Sequence, residues 1–320
     1  MRRLVERIKK AVPEDKVLIY FHSALCSEED AFTKYEGCRA LSNGQGVSSY
    51  PGCILLFPTL TNRYGQDLRK VVELATGEIG ADGLYWDEMC TGHVGEADVW
   101  CGRHAIVSRD DFKAGKIYSF TPQLLTPWQE EMVKDLQQQG KWVIANTNPT
   151  TETMTRLHFP RFVEYNNYDS CAQGQLYTPI TVTQAERCNS PENILAQAQE
   201  YLEHGSLTYE LAPYNQGPAS SIAIDFDNLL KNMYPFTPVF IRPGVMIAKE
   251  RILISRPGRF GWGDGAMPAE VKIFDEKGRP VDGSSWITRD EEAGLTEIRL
   301  PAAYTAVLLR NPAESASQPK

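Results

Sequence analysis

No apolar run in this sequence approaches the roughly 20 residues that cross a bilayer, so a membrane is not an expected partner. Positive charge is not in excess. Lys and Arg number 33 against 41 Asp and Glu, and the net charge is −8. That balance excludes a nucleic-acid backbone or an anionic membrane as the expected main partner, though not a local basic patch. The seven cysteines, Cys26, Cys38, Cys53, Cys90, Cys101, Cys171 and Cys188, contain no Cys-x-x-Cys pair. Their odd number leaves at least one unpaired, and composition leans toward a reducing compartment. A Gly-x-Ser-x-Gly nucleophile elbow is missing. So is a phosphate loop: the stretch Gly261-Trp262-Gly263-Asp264-Gly265 lies among strand-like segments and reads as a turn. Nucleotide-dependent and serine-hydrolase chemistry are therefore not expected. Low-complexity linkers and internal repeats are also lacking.

What is present is an ordinary globular composition, 42% apolar and 23% charged, over 320 residues, enough for two domains. The N-terminus, Met1 to Lys10, alternates basic and apolar residues and predicts an amphipathic helix. No apolar signal-peptide core follows it. A cytoplasmic location is expected for the chain as written, and an extracytoplasmic one if its N-terminus is truncated.

Five strand candidates alternate with helical segments up to about residue 212. They are Val17–Phe21, Gly83–Trp86, Trp142–Ala145, Arg161–Glu164 and Leu207–Leu211, each short and rich in β-branched, aromatic or aliphatic residues. Cys53–Phe57 is a candidate for a sixth. Helices are expected over Asp67–Ile79, from Thr126 as N-cap with Pro127 in the first position to Gly140, and from Ser190-Pro191 to His204. Strands alternating with helices imply a parallel sheet. From Pro238 onward the pattern changes to strand after strand: Val245–Ala248, Arg251–Ser255, Glu270–Phe274, Thr296–Leu300 and Ala306–Arg310, with a hairpin turn at Asp275–Gly278. The expected fold is α/β, a (β/α)8-type barrel, partial in this chain, either as the C-terminal part of a longer barrel without its N-terminal strands or as an open or incomplete barrel, followed by a small all-β sandwich. The expected domains are 1–237 and 238–320.

The most informative segment is Gly80-Ala81-Asp82-Gly83-Leu84-Tyr85-Trp86-Asp87-Glu88-Met89. An apolar strand ends there on two adjacent carboxylates. In (β/α) barrels chemistry sits at the C-terminal ends of strands, and sugar hydrolysis requires one carboxyl group to give a proton and another to supply negative charge. In a regular strand, Asp87 and Glu88 point to opposite sides.

The run Gly80 to Glu88 resembles the Gly-x-Asp-Gly-hydrophobic-aromatic-x-Asp strand motif of the retaining α-glycosidases, the broad group that includes α-galactosidases and α-amylases. A (β/α) array ending in a β-sandwich is similar to their architecture. The resemblance implies a glycoside hydrolase with catalytic acids on separate strand ends.

Glu88 is expected as general acid or base, Asp87 as nucleophile or hydroxyl partner, and Glu164 as the second carboxylate. Asn146, Asn148 and Asn166 at strand ends suit sugar hydroxyls, since an amide both donates and accepts. His22 is a hydroxyl partner or an orienting group for an acid. Trp86 and Trp100 are stacking planes. Cys90, His93, Cys101 and His104 have the ligand types of a structural zinc site, with a disulfide or a free thiol as competing readings; otherwise no cofactor is expected. Two other functions fit the same residues. One is a catalytically inactive carbohydrate-binding protein. The other is a metal-dependent hydrolase or lyase using Asp87, Glu88, His93 and Glu164, a reading weakened by the lack of a compact His-x-His motif.

Overall fold

A computed structural model describes residues 1–48, 50–89, 94–99, 104–107, 109–163, 171, 174, 180–184, 190–209 and 226–311, with backbone alone at 94, 104–107, 114–117, 184 and 209. The chain divides into two compact units, Met1–Pro160 and Arg161–Lys320.

The first unit runs α1 (Arg2–Ala11), β1 (Leu18–His22), β2 (Leu25–Cys26), α2 (Ala31–Lys34), β3 (Ala40–Ser42), β4 (Gln45–Gly46), β5 (Ile54–Leu55) and α3 (Arg63–Glu73). It continues with β6 (Gly83–Asp87), β7 (Val94–Ala97), β8 (His104–Val107), β9 (Ala114–Phe120), α4 (Thr121–Gln138), β10 (Trp142–Asn146) and α5 (Glu152–Arg156). Strands β1, β6 and β10 lie side by side and parallel. Leu18 pairs with Gly83 and His22 with Asp87; on the other edge Trp142 pairs with Gly83 and Ala145 with Trp86.

Strand alternation divides the side chains of these strands. Phe21, Leu84, Trp86, Val143 and Ala145 are buried against Val72 of α3, Trp128, Met132, Val133 and Leu136 of α4, and Met154 of α5. Burial of each large apolar side chain there contributes about 1.5–3 kcal/mol. Tyr20, His22, Tyr85, Asp87, Ile144 and Asn146 take the other face, where Tyr20 is 62% exposed.

Gly83 allows the close approach of β6 and β10. A Cβ on it would sit 1.9 Å from the Trp142 carbonyl oxygen. Asp82, one residue earlier, fastens the base of the strand. Its carboxylate accepts from Lys9 Nζ at 2.8 Å and from the Val17 N–H at 2.9 Å. Desolvation pushes its pKa up, but the Lys9 ammonium and the Val17 N–H outweigh that, and the net shift is below the ordinary carboxylate value.

Two expectations need correction here. Cys53–Phe57 is not a sixth parallel strand: β5 pairs antiparallel with β2, Leu55 opposite Leu25. It is a two-residue strand, and Leu56 next to it makes an isolated antiparallel bridge with Arg39. The helix expected to start at Thr126-Pro127 starts one Thr-Pro dipeptide earlier, at Thr121-Pro122, and Pro127 lies inside it. The first dipeptide already supplies the fixed φ and missing donor that suit a helix start. Thr126 Oγ1 donates back to the Pro122 carbonyl at 2.5 Å.

The connections after β1 and β6 build a second, antiparallel sheet of order β4-β3-β7-β9-β8. Leu41 of β3 pairs with Glu96 of β7, so the two connections are joined to each other.

The second unit opens with parallel strands β11 (Arg161–Val163), β12 (Thr181–Gln184) and β13 (Leu207–Tyr209), with α6 (Pro191–Glu203) preceding the last. Ser190 caps α6 through the Asn193 N–H, as the sequence predicted. Six parallel strands are thus described, three in each unit, and the sixth is β12. Its threonines look polar in sequence, but Thr181 and Thr183 are buried. The Thr183 hydroxyl is satisfied by the Leu207 carbonyl at 3.1 Å.

Thereafter all pairing is antiparallel. The strands are β14 (Pro238–Arg242), β15 (Val245–Ala248), β16 (Arg251–Ile254), β17 (Gly258–Phe260), β18 (Glu270–Phe274), β19 (Pro280–Val281), β20 (Ile287–Asp290), β21 (Leu295–Ile298) and β22 (Thr305–Leu309). They form sheets of order β14-β15-β16-β22-β18-β19 and β17-β21-β20. Leu195, Ala198 and Leu202 of α6 share one core with Met246, Leu253, Phe274 and Val307 of the larger sheet. Among the described residues, no helix is long and apolar enough to cross a membrane.

Candidate active site at the ends of three parallel strands

The register that brings β1, β6 and β10 together also aligns their C-terminal ends. His22 lies beside Asp87 on one side. Asn146, one residue past the Ala145–Trp86 pair, lies on the other.

The Asp87 carboxylate is held from several directions. The Tyr20 hydroxyl donates to Oδ2 at 2.6 Å. Asn146 Nδ2 donates to Oδ1 at 2.7 Å, and the Glu88 N–H reaches the same oxygen at 3.0 Å. Hydrogen bonds to an ionised acceptor are short and strong, so the plane of this carboxylate is fixed. Tyr20 precedes His22 by two residues and therefore shares its face. Since its hydroxyl reaches the partner of His22, the ring leans along the strand toward the C-terminal end. It lies 6.0 Å from the Tyr85 ring, tilted 34°.

Glu88 departs from strand geometry. Its φ is 45°, a left-handed conformation that costs a non-glycine residue on the order of 1–2 kcal/mol. The strand ends at Asp87, so the expected opposition of the two acids does not hold. The turn carries the Glu88 carboxylate to His22, the register partner of Asp87. His22 Nε2 lies 3.2 Å from Oε2, and the Tyr50 hydroxyl donates to Oε1 at 3.4 Å. Buried residues on both sides pin this turn. Trp86 is fully buried between Phe21 and Trp128, and its indole N–H donates to Ser23 Oγ at 3.0 Å. Met89 is also buried, and its carbonyl accepts from Gln129 Nε2 at 2.6 Å.

The His22 ring is oriented by its own chain. Its Nδ1 accepts from the backbone N–H groups of Ala24 at 3.1 Å and Leu25 at 3.0 Å. That lone pair is engaged, so the ring proton sits on Nε2 and is donated to Glu88.

Of the residues expected from sequence, the structure brings Asp87, Glu88, His22 and Asn146 together. Trp86 is corrected: its ring is enclosed by the core and has no face free for a sugar. Asn148 lies two residues past Asn146, half-buried, beyond a left-handed turn at Thr147 with φ 82°. Glu164, Trp100, Asn166, Cys90, His93 and Cys101 lie outside the described residues, as does the side chain of His104. Among the described residues, no group of three or more His, Cys, Asp or Glu is placed to hold a metal ion. Cys26, Cys38, Cys53 and Cys171 are free thiols.

Sequence reasoning missed Tyr20 and Tyr50. Period-two alternation from His22 is a signal that finds Tyr20. No local signal finds Tyr50. It sits between β4 and β5, in the connection that forms the antiparallel sheet.

No protein-family model matches the chain, and no curated protein matches it. Solved structures do. A cycloisomaltooligosaccharide glucanotransferase of Paenibacillus sp., in complex with cycloisomaltoheptaose, is 10% identical with a TM-score of 0.40, over 98% of this chain and 46% of that one. A gamma-CGTase from Alkalophilic bacillus clarkii is 11% identical with a TM-score of 0.46, over 98% of this chain and 56% of that one. The chain spans about half the length of these structures. Likeness this distant carries no argument about activity.

Proposed function

We propose that this chain is a glycoside hydrolase, cleaving the glycosidic bond of an uncharged sugar with carboxylates at the C-terminal ends of parallel strands. One observation supports the reading above others. Asp87, fixed by Tyr20, Asn146 and a backbone N–H, stands next to Glu88, which His22 and Tyr50 hold.

In this reading the two acids have different tasks. Asp87 is rigid and engaged by three donors. It supplies fixed negative charge, or the nucleophile, against an oxocarbenium-like transition state. Glu88 has a side chain 31% exposed and longer hydrogen bonds. It is suited to giving and taking a proton. The exposed Tyr20 ring beside Tyr85 offers a plane for a sugar face.

The test is turnover of a panel of chromogenic aryl glycosides by the full chain and by Asp87→Asn and Glu88→Gln. Loss on the order of 10²–10⁴-fold in each variant is the expected result. A wild-type chain inert across the panel, or variants as active as wild type, would remove the proposal. Glu164→Gln, run alongside, tests the further carboxylate expected from sequence.

A further inference from the structure

We propose that α1 docks the protein onto the surface of an anionic lipid bilayer. The helix lies in the headgroup layer, with Leu4 and Ile8 turned into it and Arg3, Arg7 and Lys10 against the lipid charges. This docking is independent of what the acids at the strand ends do.

The helix is anchored along one side. Val5 is its buried residue. Arg2 Nε donates to the Glu78 carbonyl at 2.6 Å. Lys9 Nζ donates to the Gly80 carbonyl at 2.9 Å and to Asp82 Oδ1 at 2.8 Å. At about 3.6 residues per turn, Arg2, Val5 and Lys9 fall on one side, the side held to the first unit. Leu4, Ile8 and Ala11 recur at i, i+4 and i+7 on the adjoining side, and all three are exposed, Leu4 by 52% and Ile8 by 37%. Met1, ahead of the helix, is 71% exposed. A helix face turned only to water carries polar residues at such positions. Next around the helix come Arg7, Arg3 and Lys10, exposed and without an ion pair among the described residues.

Charge selects the partner. α1 carries five cations against one acid, Glu6, in a chain of 33 basic and 41 acidic residues. Positive charge is therefore concentrated on one short element while the rest of the chain is repelled by an anionic surface, and the protein meets such a surface helix first. An apolar edge flanked by Arg and Lys is the composition of a helix that lies in a bilayer interface. The aliphatic stems of Arg and Lys keep the charged heads among the headgroups while Leu4 and Ile8 enter the acyl boundary. A nucleic acid would neutralise the cations but offers no apolar phase to the two aliphatic side chains. With ten residues the helix is about 15 Å long, half the thickness of a bilayer core, so it lies on the surface and does not cross it. Attachment through so few side chains is weak and reversible.

The test is flotation of the full chain with lipid vesicles. Wild type should float with mixed phosphatidylcholine–phosphatidylserine vesicles at low salt and not with pure phosphatidylcholine. It should be released at about 1 M salt, where the screening length shrinks to about 3 Å. Each cation near an anionic surface adds about fivefold to partitioning, so the triple variant Arg3→Gln, Arg7→Gln, Lys10→Gln should bind about 100-fold more weakly. The double variant Leu4→Ser, Ile8→Ser keeps every charge and should lose at least about 10-fold. These positions are exposed, so both variants should melt as wild type does. Hydrogen exchange needs no substitution: in wild type, the backbone amides of α1 should slow on the mixed vesicles and not on pure phosphatidylcholine. No flotation with mixed vesicles, equal flotation with both lipids, or undiminished binding by the Leu4→Ser, Ile8→Ser variant overturns the proposal. So does tighter association with duplex DNA or polyglutamate than with mixed vesicles, which would make α1 a polyanion site instead.

Discussion

Alanine at Gly83 should damage both stability and site geometry, and the size of the effect can be worked from the structure. The new Cβ would lie 1.9 Å from the Trp142 carbonyl oxygen, 2.6 Å from its carbon and 2.7 Å from its nitrogen. Backbone atoms cannot rotate away as a side-chain tip does, so β6 and β10 must separate by on the order of 1 Å to reach ordinary contact. The cost belongs at the upper end of overpacking, about 3 kcal/mol. For a chain of this size that is a fall in Tm of about 6–12 °C. The same separation acts on the strand ends. Asn146 Nδ2 and Asp87 Oδ1 are 2.7 Å apart across the same two strands. About 1 Å more puts them beyond hydrogen-bonding distance. Turnover should therefore fall further than the unfolded fraction accounts for. Gly77 supplies the control. It has an ordinary φ, and a methyl group added there would meet nothing within 4 Å, so Gly77→Ala should stabilise by about 0.5–1 kcal/mol. Differential scanning calorimetry and aryl-glycoside kinetics on both variants make the assay. A Gly83→Ala protein melting within about 2 °C of wild type, a shift worth under 1 kcal/mol on this scale, would refute the reasoning.

Three further outcomes follow from other contacts. Asn146→Ala removes one charge-assisted bond to Asp87 and should lower kcat/KM about 10–100-fold with little change in Tm. Asp82 has a folded pKa below its unfolded value, so the stability it contributes is fully present above the ordinary carboxylate value. That contribution is lost as pH falls through the folded value; acid titration of Asp82→Asn, followed by circular dichroism, should lack this component. Lys141 Nζ donates at 2.9 Å to the Thr76 carbonyl, in the helical turn Leu74–Glu78 that follows α3, and at 2.9 Å to the Ala81 carbonyl beyond it, so Lys141→Met should cost about 1–3 kcal/mol in urea melts while leaving KM unchanged.

The motif around the acids shows how much of this could be read from sequence. Its early positions serve the fold. Gly80 takes φ 80°, Asp82 fastens α1 and β1, and Gly83 admits β10. Its end serves the candidate site, where two carboxylates lie between the buried Trp86 and Met89. The strand and its acids were legible because an apolar run that stops at charge is a local pattern. The burial of Trp86 was not, since one tryptophan in a strand looks the same facing helices or facing solvent. β12 was not legible either: Thr181 and Thr183 resemble a polar loop until a neighbouring carbonyl satisfies a hydroxyl.

By itself, the sequence determined the strand and helix periods, the helix cap at Ser190, the antiparallel character after Pro238, and the placing of Asp87, Glu88, His22 and Asn146 at strand ends. These depend on side-chain spacing within a few residues, where local stereochemistry rules. Only tertiary structure decided that Glu88 turns back at φ 45° toward His22, and that Tyr20 and Tyr50 reach the acids. Those contacts join residues 38 to 67 positions apart in the chain. Parallel register and the joined connections after β1 and β6 set them, and neither leaves a mark in any short window of sequence.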